Sequence, residues 1–237
     1  FTLHQDAFQI TEQQIARVVS LARQHRLTIP GLHWLLAFTE GLHLTSRDTV
    51  VRQKTAAYLR RLAEVCRELG GQFMVFGSPA QRNMPDDMSV DEGNRLAVDC
   101  IRQALPAFQQ FDVTLALEPL GPEEGNFLLT AEWGRRLIQQ IDSPHVRLHL
   151  DVKAMSTESS SIPDIIHASR RHLVNFHTND PNRRGPGMCE VKYEPIIAAL
   201  RSVGYDGWLS VEVFDETVQP ETTAVESYRY LREQLAR

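Results

Sequence analysis

Four short apolar runs in the second half of the chain each end in a side chain that can bind a metal ion. The runs are Leu-Ala-Leu-Glu, Leu-His-Leu-Asp, Val-Asn-Phe-His and Leu-Ser-Val-Glu, which end at Glu118, Asp151, His177 and Glu212. Because side chains alternate between the two faces of a strand, the bulky residues of each run share one face and the terminal carboxylate or imidazole takes the other. The pattern predicts strands with apolar backs under helices and with C-terminal ends that converge on one cation.

Helical and strand patterns alternate along the whole chain with short connections, which is typical of repeated βα units around a parallel sheet. We predict six strands and seven helices, beginning with a helix, whereas a closed (β/α)8 barrel has eight of each. The predicted fold class is therefore α/β, a (β/α)8 TIM barrel that lacks its first β-α-β in the sequence shown, or an open barrel. Residues 1–237 are expected to form a single, N-terminally incomplete domain.

Composition argues against several classes of partner. The net charge is -5, so the chain lacks the basic surface that binding to a nucleic-acid backbone needs, and no nucleic-acid partner is expected. Its three cysteines are odd in number and far apart, which favours a reducing compartment and a cytoplasmic location. No apolar run approaches the length of about 18 residues that suggests a membrane span, so no membrane partner is expected.

Two glutamates, one aspartate and one histidine at the strand ends make a ligand set that is mostly oxygen. Such a set suits hard or borderline divalent cations. We predict one divalent metal ion, with Mn²⁺ first and Mg²⁺, Co²⁺ or Zn²⁺ as alternatives. Each of the four residues taken alone could be a polar strand end without a ligand role. Their shared position in successive strands favours a metal site.

From about Gln72 to the C-terminus, the sequence resembles the sugar isomerases and epimerases with a xylose-isomerase-like TIM barrel. Within that group it is similar to the ketose 3-epimerases related to D-tagatose and D-psicose 3-epimerase, with hydroxypyruvate isomerase as a further relation. The resemblance rests on the Glu, Asp, His, Glu order of the strand ends. It also rests on an HTxxxNR stretch, present as His177, Thr178, Asn182 and Arg183.

The resemblance implies that Glu118, Asp151, His177 and Glu212 bind the divalent metal, and that Glu118 and Glu212 are also the catalytic acid/base pair. The implied activity is a metal-dependent sugar or sugar-phosphate isomerase or epimerase, which moves a proton next to a ketone through an enediolate. With the glutamates on opposite sides of the sugar, one removes the proton and the other returns it to the opposite face.

Four further residues are candidate substrate contacts. The resemblance implies that Glu124, six residues after the first glutamate, and Arg183 hydrogen-bond sugar hydroxyls. Lys153 shares a face with the aspartate by period-two spacing, which predicts that it points into the mouth of the site and meets a hydroxyl or a phosphate. His33, near the end of an early strand, is expected to reach the pocket. The alternative for each is a solvated surface position without a role.

One departure from the epimerase pattern leaves the substrate open. Many of these epimerases carry a substrate-binding histidine three residues beyond the aspartate, where this chain has Ala154. That contact is lost or is replaced by Lys153. A polyol dehydratase, a hydroxypyruvate-isomerase-like enzyme and a sugar-phosphate epimerase therefore remain alternatives within the superfamily. His149, one layer below the aspartate, is predicted to be a hydrogen-bonded filler rather than a partner of the ligands.

Two alternatives lie outside this chemistry. An endonuclease-IV-like repair enzyme would need more histidines for a multi-zinc cluster and a basic surface facing DNA, and the sequence indicates neither. A non-catalytic sugar- or metal-binding barrel is the second alternative, although the two glutamates argue against it. The expected partners are a small sugar or sugar phosphate and further copies of the chain in a homodimer or homotetramer.

Overall fold

The computed structural model of the protein describes residues 6–215 and 217–236. These residues form two compact units, which are best described one at a time. The first unit contains residues 6–117, 125–127 and 136–147, and the second contains residues 118–124, 128–135 and 148–236 without residue 216. The prediction of a single domain stays a prediction.

The first unit alternates helices with parallel strands, as the sequence predicts. Its elements are α1 (Glu12–Gln24), β1 (Gly31–His33), α2 (Thr49–Glu68), β2 (Phe73–Phe76), α3 (Val90–Phe111) and β3 (Thr114–Leu117). Parallel pairing sets Gly31 of β1 opposite Phe73 of β2, and Phe73 opposite Thr114 of β3. Gly31 is required there, because a Cβ atom would lie 2.1 Å from the carbonyl oxygen of Phe73.

Side-chain caps and glycine define the ends of the long helices in this unit. Ser89 and Glu92 have the spacing of a capping box, and the hydroxyl of Ser89 accepts the Glu92 amide at 3.2 Å. The Glu92 carboxylate instead receives the guanidinium of Arg47 at 2.7 Å, so the reciprocal half of the box is not formed. Helix α2 ends at Glu68, and Gly70 has a φ of 88° beyond the last helical turn.

The second unit contains most of the later elements. They are β4 (Val146–Asp151, whose first two residues belong to the first unit), α5 (Val152–Met155), α6 (Ile162–Ser169), β5 (Leu173–Thr178), α7 (Tyr193–Ser202), β6 (Leu209–Val211) and α8 (Pro220–Ala236). The helix α4 (Ala131–Ile141) is divided between the two units. The predicted strands and helices are therefore present, and the four-residue helix α5 is an element that the sequence pattern did not predict.

The register of β4, β5 and β6 brings their polar faces together. The strands pair in parallel, with His149 opposite Asn175, Asp151 opposite His177, and His177 opposite Ser210. On the other face, Leu148, Leu150 and Phe176 are at most 1% exposed, which agrees with apolar strand backs under helices. In β6 this differs, because Val211 is 39% exposed. The carboxyl ends of the three strands therefore carry the polar residues at one edge.

The longest helices are amphipathic. Helices α2 and α3 have 20 and 22 residues, and each buries an apolar side while charged side chains remain on the other. Over the described part of the chain, no helix combines the length and the apolar character that crossing a membrane requires.

Candidate metal centre

The four predicted ligands all belong to the second unit and lie at the carboxyl ends of strands. Glu118 follows β3 directly, Asp151 is the last residue of β4, His177 is the fifth residue of β5, and Glu212 follows β6 directly. The first three are at most 5% exposed, and the side chain of Glu212 is 16% exposed. Strand ends in a parallel sheet therefore place all four side chains in a largely buried group.

His177 lies at the middle of this group. Its Nδ1 atom is 3.2 Å from Oε2 of Glu212, 3.7 Å from Oδ2 of Asp151 and 3.8 Å from Oε1 of Glu118. One ligand atom from each of Glu118, His149, Asp151 and His177 lies within 4.8 Å of the ligand atoms of the other three. The same limit holds among the ligand atoms of Glu118, His177 and Glu212. The structure thus brings the predicted set together around one imidazole nitrogen.

The donor chemistry of the group fits a divalent cation. Three carboxylates that converge in a space shielded from water repel each other when ionised, and a cation offsets that repulsion. Burial raises the pKa of Asp151, and the nearby charge of Glu212 raises it further. His177 and the hydrogen bonds from Ala154 and Asn179 act in the opposite direction and lower it. Oxygen donors with one imidazole suit Mn²⁺, Mg²⁺ or Co²⁺ better than a thiolate-type zinc site.

His149 forms a second layer beneath the carboxylates. It is fully buried, and its Nε2 lies 3.5 Å from Oε1 of Glu118. Its Nδ1 is 3.1 Å from Nδ2 of Asn175, and its ring centroid is 4.0 Å from that of His177. Nε2 of His149 thus faces the carboxylate of Glu118, and Nδ1 faces the side-chain amide of Asn175. The sequence favoured a filler, whereas the structure makes His149 a neighbour of a predicted ligand.

Asn179 is a buried neighbour of the site that sequence reasoning missed. Its Nδ2 donates to Oδ2 of Asp151 at 2.6 Å, and its Oδ1 accepts the backbone N–H of Lys153 at 2.9 Å. A signal was present, because Asn179 lies two residues beyond His177 and therefore continues its face of the strand. The loop that follows β5 hid this signal, since the period-two pattern ends with the strand at Thr178.

Two of the predicted substrate contacts meet each other at the rim. The Nζ of Lys153 forms an ion pair with Oε1 of Glu124 and lies 5.7 Å from the ring centroid of Phe214. Lys153 belongs to helix α5, so its position follows from a helical turn rather than from the predicted period-two extension of β4. The side chains of Lys153 and Glu124 are 13% and 27% exposed, which leaves the pair open to solvent on one side.

Arg183 and His33 lie at different places. Arg183 is exposed in the loop after β5 with a φ of 66°, and its carbonyl accepts the amides of Phe214 at 2.9 Å and Asp215 at 3.2 Å. Its backbone therefore links this loop to the segment after β6. His33 is the last residue of β1 in the first unit and is exposed. Their predicted roles in substrate binding stay predictions.

Comparison with known proteins places the chain in context. A family model described as xylose isomerase-like TIM barrel matches residues 1–234. A probable ketose 3-epimerase from Synechocystis sp. is 25% identical over 194 residues, which cover 78% of this chain and 64% of that protein. A D-psicose 3-epimerase from Agrobacterium fabrum is 28% identical over 180 residues, covering 74% and 61%. The chain spans less than two thirds of the length of these two curated relatives.

Solved structures support the same fold. A 3-keto-D-glucoside 4-epimerase from E. coli matches with a TM-score of 0.83 at 20% identity, over 93% of this chain and 85% of that one. A D-psicose 3-epimerase from Clostridium cellulolyticum, solved with D-tagatose, also has a TM-score of 0.83 at 20% identity, over 95% and 84%. These likenesses and the family match confirm the α/β TIM-barrel class. The chain belongs to the xylose isomerase-like TIM-barrel family.

Proposed function

We propose that this chain is a divalent-metal-dependent ketose epimerase that inverts a carbon next to the ketone of a small sugar through an enediolate. The observation that carries the proposal is the group of three carboxylates around Nδ1 of His177 at distances of 3.2 to 3.8 Å. Relatives named as ketose and D-psicose 3-epimerases, at 25 and 28% identity, support the choice of reaction. We propose Mn²⁺ as the resident ion.

Removing a proton next to a ketone requires a base at the carbon and stabilisation of the negative charge that develops on oxygen. When bound, a divalent cation supplies that stabilisation. Glu118 and Glu212 supply the base and the acid. They follow β3 and β6, and Nδ1 of His177 lies 3.8 Å from Oε1 of Glu118 and 3.2 Å from Oε2 of Glu212. Carboxylates that approach from two sides can take a proton from one face of a carbon and return it to the other.

The proposed substrate contacts differ in charge and position. Glu124 and Lys153 form a paired rim, in which the ammonium group holds the carboxylate in one orientation for a sugar hydroxyl. We assign Arg183 and His33 to further hydroxyl or phosphate groups of the sugar. The proposal also includes a cytoplasmic location and a homodimer or homotetramer as the working assembly.

A 2-oxo-tetronate isomerase from Haemophilus influenzae, 22% identical over 134 residues, favours isomerisation of a short sugar acid as the second candidate function. Lys153 at the rim suits an anionic substrate of that kind. Isomerisation moves the carbonyl along the chain instead of inverting one carbon. The two reactions therefore give different products from the same type of proton removal.

The experiment is proton exchange in deuterated water. The Mn²⁺-loaded protein is incubated with a panel of neutral ketoses, ketose phosphates and 2-oxo sugar acids, and deuterium entry next to the carbonyl is followed by NMR. We expect label and an inverted epimer with at least one ketose. Label with a shifted carbonyl would favour the isomerase, and loss of water would indicate a polyol dehydratase. Metal binding without exchange in any substrate would refute catalysis and leave a binding barrel.

A further inference from the structure

Asn179 makes three hydrogen bonds at the edge of the candidate metal centre and is 1% exposed. Its Nδ2 donates to Oδ2 of Asp151 at 2.6 Å, and its Oδ1 accepts the backbone N–H of Lys153 at 2.9 Å. Its backbone carbonyl accepts the hydroxyl of Tyr193, a fully buried side chain of α7, at 2.8 Å. The side-chain carboxamide is therefore held at both its nitrogen and its oxygen, in a space without bulk water.

These bonds determine which way the carboxamide points. A backbone N–H can only donate, so the Asn179 atom that faces Lys153 must be the oxygen and the atom that faces Asp151 must be the NH₂ group. The other oxygen of Asp151 accepts the amide of Ala154 at 2.8 Å. Each oxygen of the carboxylate therefore has one donor and keeps lone-pair capacity for a cation. Rotation of the carboxylate would break one or both of these bonds.

The same carboxamide also anchors the rim of the site. Helix α5 has only four residues, Val152–Met155, and such a short helix has little stability of its own. Asn179 binds the N–H of Lys153 inside this helix, and the ammonium group of the same lysine pairs with Glu124. Moving the carboxamide would thus disturb both the carboxylate of Asp151 and the backbone from which Lys153 reaches the rim.

We propose that Asn179 is a positioning residue, which orients the carboxylate of Asp151 toward a divalent cation and holds Lys153 at the rim of the same site. Asn179 acts through these two residues and does not itself contact the sugar. The proposal rests on the metal site of the proposed function. One neutral, buried side chain thereby links the orientation of the Asp151 carboxylate to the position of Lys153.

The test compares Asn179→Ala with Tyr193→Phe. Both changes remove a hydrogen bond in the same segment, but only the first removes the donor to Asp151, so Tyr193→Phe controls for general loosening. Mn²⁺ affinity is measured by isothermal titration, and the absorption spectrum of the Co²⁺-loaded protein reports the geometry around the ion. We expect Asn179→Ala to weaken Mn²⁺ binding by about 10- to 100-fold and to change the Co²⁺ spectrum. Tyr193→Phe should lower thermal stability and keep the Mn²⁺ affinity within about twofold.

A double-mutant cycle tests whether the effect passes through Asp151. In an Asp151→Ala background, Asn179→Ala should weaken Mn²⁺ binding by less than about twofold more, because the carboxylate that it orients is gone. Three results would overturn this inference without affecting the proposed function. They are an unchanged Mn²⁺ affinity in Asn179→Ala, an equal loss of Mn²⁺ affinity in Tyr193→Phe, and losses of affinity that multiply in the double variant. A wild-type protein that binds no Mn²⁺ would overturn the inference and the proposed function together. Mn²⁺ binding with the expected cycle but without proton exchange would refute only the catalytic function.

Discussion

Replacing Glu212 by Gln separates its proposed role as a proton carrier from its role as a ligand. Gln has nearly the same shape and keeps one oxygen that can bind a cation, but it cannot accept a proton at neutral pH. Glu212 is partly exposed, and its Oε2 lies 3.2 Å from Nδ1 of His177. The substitution therefore leaves the packing of the site nearly unchanged, and we expect the free energy of unfolding to change by no more than about 1 kcal/mol.

The expected catalytic loss follows from the number of proton carriers. General acid–base catalysis by one positioned side chain contributes about 10²- to 10⁴-fold, which corresponds to about 3 to 5 kcal/mol of the activation barrier. Epimerisation needs both carboxylates, so Glu212→Gln should lose this full factor in epimer formation. Glu118, which is nearly fully buried and lies 3.8 Å from Nδ1 of His177, remains intact. It can still remove and return the proton on its own face of the sugar.

The assay follows both reactions in deuterated water with Mn²⁺ at saturating concentration. We expect Glu212→Gln to exchange the proton of one epimer of an accepted ketose and to leave the other epimer unlabelled. Glu118→Gln should show the reverse preference, and Glu226→Gln on the exposed face of α8 should behave like the wild type. Epimer formation within tenfold of the wild-type rate, or equal loss of exchange from both epimers, would show that Glu212 is not one of two opposed proton carriers.

Three further predictions test the cation, the rim and a buried acid. Mn²⁺ at about 100 times its Kd should raise the unfolding temperature by about 5 to 10 °C, and EDTA should reverse this rise. A rise that persists in Asp151→Ala would contradict the assigned ligands. Lys153→Met removes the ion pair with Glu124, so it should raise KM by about tenfold while the free energy of unfolding changes by about 1 kcal/mol or less. An unchanged KM would show that Lys153 does not contact the substrate. Burial raises the pKa of Asp180 to about 6. The protonated carboxyl group therefore stabilises the folded state fully below about pH 4, and this stabilisation is lost as the pH rises through 6. In urea unfolding, Asp180→Asn should therefore gain stability relative to the wild type between pH 4 and 7, and a difference that is independent of pH would contradict the raised pKa.

The carboxylate of Asp151 is held in one orientation, which bears on its role. Asp151 accepts the side-chain amide of Asn179 at 2.6 Å and the backbone N–H of Ala154 at 2.8 Å, which suits a ligand of fixed orientation. Glu118 faces Nε2 of His149 at 3.5 Å. The fixed orientation of Asp151 agrees with the proposal that this residue only binds the ion.

Local patterns were sufficient to predict the elements that carry the site. Alternation with a period of two is a property of each strand alone, so it identified the strands that end at or near Glu118, Asp151, His177 and Glu212 without knowledge of their neighbours. Parallel strands in repeated βα units present their carboxyl ends at one edge, which is why convergence of the four side chains could be expected. The short helix α5 escaped prediction, because four residues are too few to show a helical period.

The contacts between the side chains required the tertiary structure. Three contacts join residues that are 28, 31 and 29 positions apart in the sequence. They are Asn179 with Asp151, His149 with Glu118, and Lys153 with Glu124. Strand register, the turn after β5 and the first turn of α5 decide which of many polar side chains come within hydrogen-bond distance. The sequence by itself thus determined the fold class, the strands and the candidate ligands, since these follow from local periodicity. Only the folded chain decided how the ligands are oriented, because orientation depends on neighbours that lie far away in the sequence.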